Sequence, residues 1–83
     1  MKPDRPKTLA TAVSLLRAIA PEVGADELVA SLPLRQQVDL DSMDWLNFLI
    51  SLHEHFGVAI AESDYAKLIT LDDVVNYLQA KLL

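Results

Sequence analysis

The segment Asp39-Leu40-Asp41-Ser42-Met43-Asp44 sets one hydroxyl among carboxylates where a loop hands over to a helix. A serine in the first turn of a helix lies beside backbone N–H groups that have no intrahelical acceptor. A phosphodiester esterified to its hydroxyl is favoured there by the helix dipole. Asp41 and Asp44 repel the same phosphate, so an arm attached at Ser42 gains little by lying flat and stays free to swing. A plain capping serine fits this residue equally well, so Ser42 alone leaves the chemistry open. Other chemistries fail on spacing. No base stands beside Ser42, and His53 lies three turns further along the helix, beyond the hydrogen-bond reach that a nucleophile and its base need. A calcium loop counted from Asp39 needs Gly at its sixth position and Glu at its twelfth, where this chain has Asp44 and Ile50. His53 and His55 are two residues apart and point to different helix faces, so they read as solvated surface histidines. No glycine-rich phosphate loop is present. No catalytic residue and no metal ligand is therefore assigned, and the chain is not read as an enzyme.

The element that must carry Ser42 is the clearest in the chain. It starts near Asp41 or Ser42 and runs to about Phe56, with Asp41 as cap, Asp44 in the first turn and Gly57 as stop. Its polar residues Asp44, Asn47, Ser51, Glu54 and His55 form a narrow stripe, and the rest is apolar. Such a helix is expected to be buried on most sides, at the centre of a bundle. A first helix, capped by Thr8 and running to about Ala20, presents Leu9, Ala12, Val13, Leu16 and Ile19 on one face. Pro21 and Gly24 end it. The connection from Pro21 to Leu40 lacks sustained periodicity, but Leu28, Val29, Leu32, Leu34, Val38 and Leu40 make it too apolar for a free linker. It should pack on the helices, and long packed loops are often functional. A short helix over Glu62–Leu68 follows, with Tyr65, Leu68 and Ile69 facing inward. Thr70-Leu71-Asp72-Asp73 resembles a capping box with Asp in place of Glu. It opens a last helix through about Lys81, whose inner face is Leu71, Val74, Val75, Leu78 and Leu82. The expected fold is an all-α four-helix bundle, three helices longer and one short, with a long first loop. Residues 1–7, with two prolines and four charges, read as a disordered tail, and 8–83 as the single domain.

Composition narrows the function classes. At 83 residues the chain is one domain, and a domain that small buries only about 60% of its unfolded surface, too little for a deep catalytic cleft as well as a core. It has no cysteine, hence no disulfide or thiolate cage, so its 52% hydrophobic content must supply the stability. The net charge is −5, and nine of the twelve acids lie between Glu22 and Asp64 with Arg35 as the one base among them. That field repels nucleic acid and attracts basic protein surfaces, although acids also serve solubility. No signal-peptide pattern and no apolar run of membrane-spanning length is seen. A cytoplasmic protein with no membrane insertion is expected.

Asp41-Ser42-Met43 resembles the Asp-Ser-Leu signature of the acyl carrier protein family, with Met in the Leu position. The resemblance continues through the helix ending Phe56-Gly57, the segment Val58–Ile60 with Glu62–Asp64 after it, and Leu68-Ile69-Thr70-Leu71 followed by Val74, Val75, Tyr77 and Leu78. It covers about residues 32–82, and residues 8–20 fit the family's first helix by pattern. It implies that a separate transferase, using coenzyme A and magnesium, attaches a covalent 4′-phosphopantetheine to Ser42. The arm's thiol would then hold acyl groups as thioesters for partner enzymes of fatty-acid, polyketide or lipid synthesis. The carrier would be a monomer without catalysis of its own. Asp41, Met43, Asp44, Asn47 and Glu54 would be read by the transferase and by acyl-loading and acyl-transfer enzymes with basic or apolar docking patches. Cargo could slip between the central and last helices, lined by Met43, Trp45, Leu46, Ile50, Leu71 and Val75, each of which also suits ordinary core.

The chain departs from the family pattern in ways that suggest a specialised member. Asp39-Leu40 stands where carriers of fatty-acid synthesis usually have glycine at or near that point, and Asn47, Ser51, His53 and His55 replace acids along the helix. Trp45 suits either the mouth for a bulky cargo or a half-buried core position. Two alternatives stay open on the residues. An aminoacyl or peptidyl carrier shares Asp-Ser-Met with D-alanine carriers, which usually follow it with Gly where Asp44 stands here. An unmodified bundle could instead use its acidic, Trp-bearing face for docking.

Overall fold

A computed structural model describes residues 4–82, and in it the first helix begins ahead of Thr8. Helix α1 spans Arg5–Ile19 with Asp4 at its N-cap and a proline in its first turn, where the missing N–H costs nothing. Of the tail expected over 1–7, residues 5–7 are thus helical, while 1–3 lie outside the described residues. The reason is a long-range tie. Arg5 Nη1 donates to Asn76 Oδ1 at 2.6 Å, and Nη2 pairs with Asp72 Oδ1 at 3.3 Å, both on helix α4 (Leu71–Leu82). Thr8 is no cap. It is buried inside α1, and its hydroxyl donates to Gln79 Oε1 at 2.9 Å across the α1–α4 seam.

The connection from Pro21 to Leu40 holds more structure than its lack of periodicity suggests. A 3₁₀ turn covers Ala25–Glu27, and a one-turn helix α2 covers Leu34–Gln37 with Pro33 at its N-cap. Gln37 organises the segment. Its side-chain amide donates to the carbonyls of Val29 and Leu32 at 2.8 and 2.9 Å, and its Oε1 accepts from Val29 N at 2.7 Å. Leu34, Val38 and Leu40 are buried as expected, whereas Val29 and Leu32 are exposed. The loop is stitched to the start of α4 by a backbone bridge between Pro33 and Thr70 and by Leu34 N donating to Ile69 O at 2.9 Å.

Helix α3 spans Ser42–Phe56, and Gly57 ends it in the left-handed region at φ 66°, a conformation that favours glycine. A 3₁₀ helix over Glu62–Lys67 leads to α4, whose N-terminus is the expected capping box. Asp73 N donates to Thr70 Oγ1 at 3.0 Å, and Asp73 Oδ2 accepts from Thr70 N at 3.1 Å and Ile69 N at 3.2 Å. Ala12 and Leu16 of α1 meet Phe48, Leu49 and Leu52 of α3 and Leu71, Val74 and Leu78 of α4 in one core. The four expected helices are therefore present, in an all-α bundle with three long members.

The burial of α3 differs from expectation. Phe48, Leu49 and Leu52 are fully buried, but Met43, Leu46 and Ile50 are 65%, 37% and 42% exposed. These three are spaced i, i+3, i+7, a single flank that neither α1 nor α4 covers. Ile69, expected inside, is also exposed, while Leu68 takes the buried position and Tyr65 is half-buried.

Candidate functional site

The approach to Ser42 is an extended segment whose residues alternate. Val38 and Leu40 are buried, whereas Asp39 and Asp41 face solvent. Leu40 thus anchors the loop one residue before the cap, and Arg35 Nη2 donates to its carbonyl at 3.3 Å. Asp41 is the N-cap of α3, its Oδ1 accepting from Asp44 N at 2.8 Å. Ser42 is therefore the first helical residue and not the cap. Its side chain is exposed, and among the described residues nothing hydrogen-bonds its hydroxyl. Capping and chemistry fall on neighbouring residues. That leaves Ser42 Oγ free to form an ester while Asp41 holds the turn. An exposed, unengaged hydroxyl at a helix start fits a phosphodiester-linked arm.

Met43, Asn47 and Glu54 are exposed and Asp44 is half-exposed, on the same helix as Ser42. The residues considered for cargo do not all meet. Trp45 is half-buried, with its ring 5.7 Å from that of Phe48, and it walls an open cleft of about 190 Å³ with Pro33, Arg35, Tyr65, Leu68 and Ile69. Ile50 lines a second cleft of about 210 Å³ with Leu49, His53, Ala59, Ile60 and Tyr65. Leu46 is on the exposed flank, and Leu71 and Val75 are almost fully buried. The walls opposite α3 come from the Glu62–Lys67 3₁₀ helix and the loops beside it, not from α4.

Sequence reasoning missed Tyr65, Arg35 and His53 as wall residues. Tyr65 was legible only as an inward-facing aromatic. His53 is exposed, as expected of a surface histidine, and it also bonds through Nδ1 to the carbonyl of Val58 at 2.8 Å, which assigns the proton to Nδ1 and ties the end of α3 to the turn after Gly57. His55 meets the Phe56 ring edge-on at 5.1 Å.

The 3₁₀ helix that carries Tyr65 is latched to α4. Tyr77 Oη donates to Asp64 Oδ2 at 2.8 Å, and Lys67 Nζ lies 3.3 Å from Asp64 Oδ1. The Tyr77 hydrogen bond holds the Asp64 carboxyl below its ordinary 3.8, with Lys67 adding to the effect, and the same bond raises the Tyr77 phenol above its ordinary 10.0. A lowered carboxyl contributes stability that is present above 3.8 and lost as pH falls through the lowered value. A raised phenol contributes stability that is present below 10.0 and lost as pH rises through the raised value. Tyr77→Phe is accordingly expected to lower the urea midpoint across the range between 3.8 and 10.0, with the gap to wild type closing beyond either end. A gap that stays constant into acid would show that the latch has no electrostatic part.

Comparison with known proteins places these features in a family. The family described as "Phosphopantetheine attachment site" matches residues 13–78, a span that includes Ser42 and all of α3. An acyl carrier protein of an Exiguobacterium species is 31% identical over 72 residues, covering 84% of this chain and 91% of the relative. One from Campylobacter jejuni is 36% identical over 56 residues, covering 68% of this chain and 73% of its own. In fold, the chain is similar to the solved acyl carrier protein from Enterococcus faecalis, with a TM-score of 0.74 at 22% identity over 95% of this chain and 99% of the other. The aminoacyl-carrier and unmodified-bundle alternatives are not favoured by these matches.

Proposed function

The chain belongs to the acyl carrier protein family, and from that premise we propose that Ser42 is the residue that bears its covalent 4′-phosphopantetheine. The observation that carries this reading is the division of labour at the start of α3: Asp41 caps, and the Ser42 hydroxyl is exposed and unengaged. When attached, the arm supplies a thiol that holds acyl groups as thioesters. The chain's own residues keep Oγ accessible and present the helix around it. Attachment forms one bond, from Ser42 Oγ to the arm's phosphorus, and breaks the pyrophosphate P–O bond of coenzyme A, so that the nucleotide part departs as 3′,5′-adenosine bisphosphate and the hydroxyl proton is given up. The test is intact mass after incubation with coenzyme A, magnesium and a broad-specificity phosphopantetheinyl transferase. A gain of one arm on wild type supports the reading, and no gain refutes it.

The partners follow from the face that surrounds Ser42. Asp41, Asp44 and Glu54 suit basic patches, and the exposed Met43, Leu46 and Ile50 flank suits apolar ones. A transferase and acyl-loading or acyl-transfer enzymes that combine the two would seat along α3. The carrier works as a monomer and as a substrate of those enzymes, with no catalysis of its own. A cytoplasmic location is in keeping with this role, and among the described residues no helix is long and apolar enough to cross a membrane.

Asp44 is the charge to test, because Asp41 also holds the cap. Asp44→Asn is expected to lower the transferase kcat/KM about 1.5- to 5-fold at low ionic strength, the size of an exposed ion pair. The deficit should vanish near 1 M salt, where the Debye length is about 3 Å. Wild-type rates at every salt concentration would remove electrostatics from recognition at this residue.

A further inference from the structure

Between Glu22 and Asp64 the chain sets nine acids against a single base, Arg35. Among the described residues no carboxylate pairs with it. A guanidinium has five N–H donors. Arg35 gives one of them, on Nη2, to the Leu40 carbonyl at 3.3 Å. The other two arginines of the chain are engaged elsewhere: Arg5 with Asn76 and Asp72, and Arg17 through Nε with the Val23 carbonyl at 2.7 Å. Two observations put Arg35 next to Ser42. Leu40 precedes Ser42 by two residues, so their Cα atoms are at most about 7 Å apart. Arg35 also shares the first cleft with Trp45, which follows Ser42 by three residues and so lies on the same side of α3.

We propose that Arg35 is a cationic seat for the phosphodiester of the arm, holding its first link while the remainder swings. This rests on the reading of Ser42 as the attachment point. A phosphodiester carries a single negative charge shared by its unesterified oxygens, and a planar guanidinium presents paired N–H groups that match such oxygens. Asp41 and Asp44 repel that charge from the helix side, and the exposed Asp39 repels it along the approach. Arg35 supplies the opposing attraction from the loop side, where the carbonyl of Leu40 already steers its guanidinium toward the start of α3. The first link is thereby drawn toward α2 and away from the acidic face of α3, which stays open. Because Arg35 is exposed, the pair biases where the link lies by about 1.5- to 5-fold and does not lock it.

The experiment compares wild type, Arg35→Gln and Arg35→Lys, each before and after reaction with coenzyme A, magnesium and the transferase, with intact mass showing whether one arm is present. The phosphorus NMR signal of the phosphodiester, the arginine Nε–H signals and the melting temperature are read. In wild type, attachment should move the Arg35 Nε–H signal and leave those of Arg5 and Arg17 in place. The wild-type phosphorus signal should approach that of Arg35→Gln as salt is raised to about 1 M, where the Debye length is about 3 Å. The change in melting temperature on attachment should be more favourable in wild type than in Arg35→Gln by about 1–8 °C, the size of one exposed ion pair in a domain this small. Arg35→Lys, with the charge but not the planar fork, should fall between them. Taking the change within each protein cancels what the lost Leu40 hydrogen bond costs the fold. Equal phosphorus signals in wild type and Arg35→Gln at low salt, or equal changes in melting temperature on attachment, overturn the proposal. If the transferase leaves Arg35→Gln unmodified, wild type decides alone: an Arg35 signal that attachment moves and salt moves back supports the seat, and one that ignores the arm overturns it. A wild-type mass without the arm fells the Ser42 reading, and the seat with it.

Discussion

Ser42→Ala is expected to emerge from the transferase reaction at its unmodified mass while wild type gains one arm, with the two proteins melting within about 2–4 °C of each other. The second half of that result is what gives the first its meaning. A serine that capped α3 would cost about 1 kcal/mol on truncation to alanine. Ser42 does not cap: Asp41 Oδ1 takes the Asp44 N–H, and the Ser42 side chain is exposed in the first helical position. Alanine is also the better helix former, so the net change should fall within about 0.5 kcal/mol. Asp41→Ala should behave the other way, losing about 1 kcal/mol of cap. Circular dichroism melts of the two variants separate chemistry from scaffold. An arm that still attached to Ser42→Ala would move the site to another hydroxyl. Ser51, the other serine of α3, is a poor substitute because its hydroxyl donates to the Asn47 carbonyl at 2.9 Å.

The parts of this site that could be read in advance are those with local causes. Asp41 and Asp44 marked the start of α3, and Gly57 marked its end, because a cap and a left-handed stop act within one turn. The Thr70–Asp73 box was legible for the same reason, even with aspartate where glutamate is usual. What escaped depends on residues far apart in sequence. The start of α1 at Arg5 is secured by Asn76 and Asp72, some seventy residues away. The place of Tyr65 between two clefts depends on a 3₁₀ helix held by Tyr77, and no periodicity announces a latch of that kind. The exposure of Met43, Leu46 and Ile50 was hidden by the opposite failing. Apolar residues around most of a helix predict burial only if a neighbour arrives to cover them, and here α1 and α4 leave one flank open. The departures from the family pattern gain a physical reading too. Leu40 is a buried anchor, and the helix that lacks some of the usual acids carries an exposed apolar flank.

Phe48→Ala should bring the largest loss of stability in the chain, about 3–5 kcal/mol. Phe48 has no exposed surface, belongs to the core shared by α1, α3 and α4, and supports the Trp45 ring at 5.7 Å. A chain of this length has roughly 4–12 kcal/mol to lose, at about 0.05–0.15 kcal/mol per residue. The variant therefore stands close to unfolding at room temperature. Urea titration followed by Trp45 fluorescence should show the midpoint collapse, with Phe48→Leu falling between the variant and wild type. Met43→Ala, five residues away on the same helix but 65% exposed, should move the midpoint by no more than about 0.5 kcal/mol. The contrast bears on function because α3 has two duties on two faces. Its buried face fixes the start of the helix in space, and its exposed face is the one proposed to meet partners. Phe48→Ala should lose modification through the fraction unfolded, and cooling or a stabilising osmolyte should restore it, which no condition can do for Ser42→Ala. Were Phe48→Ala to remain folded yet refuse the arm, the core of α3 would have to be part of what the transferase reads, and the separation of the two faces would fail.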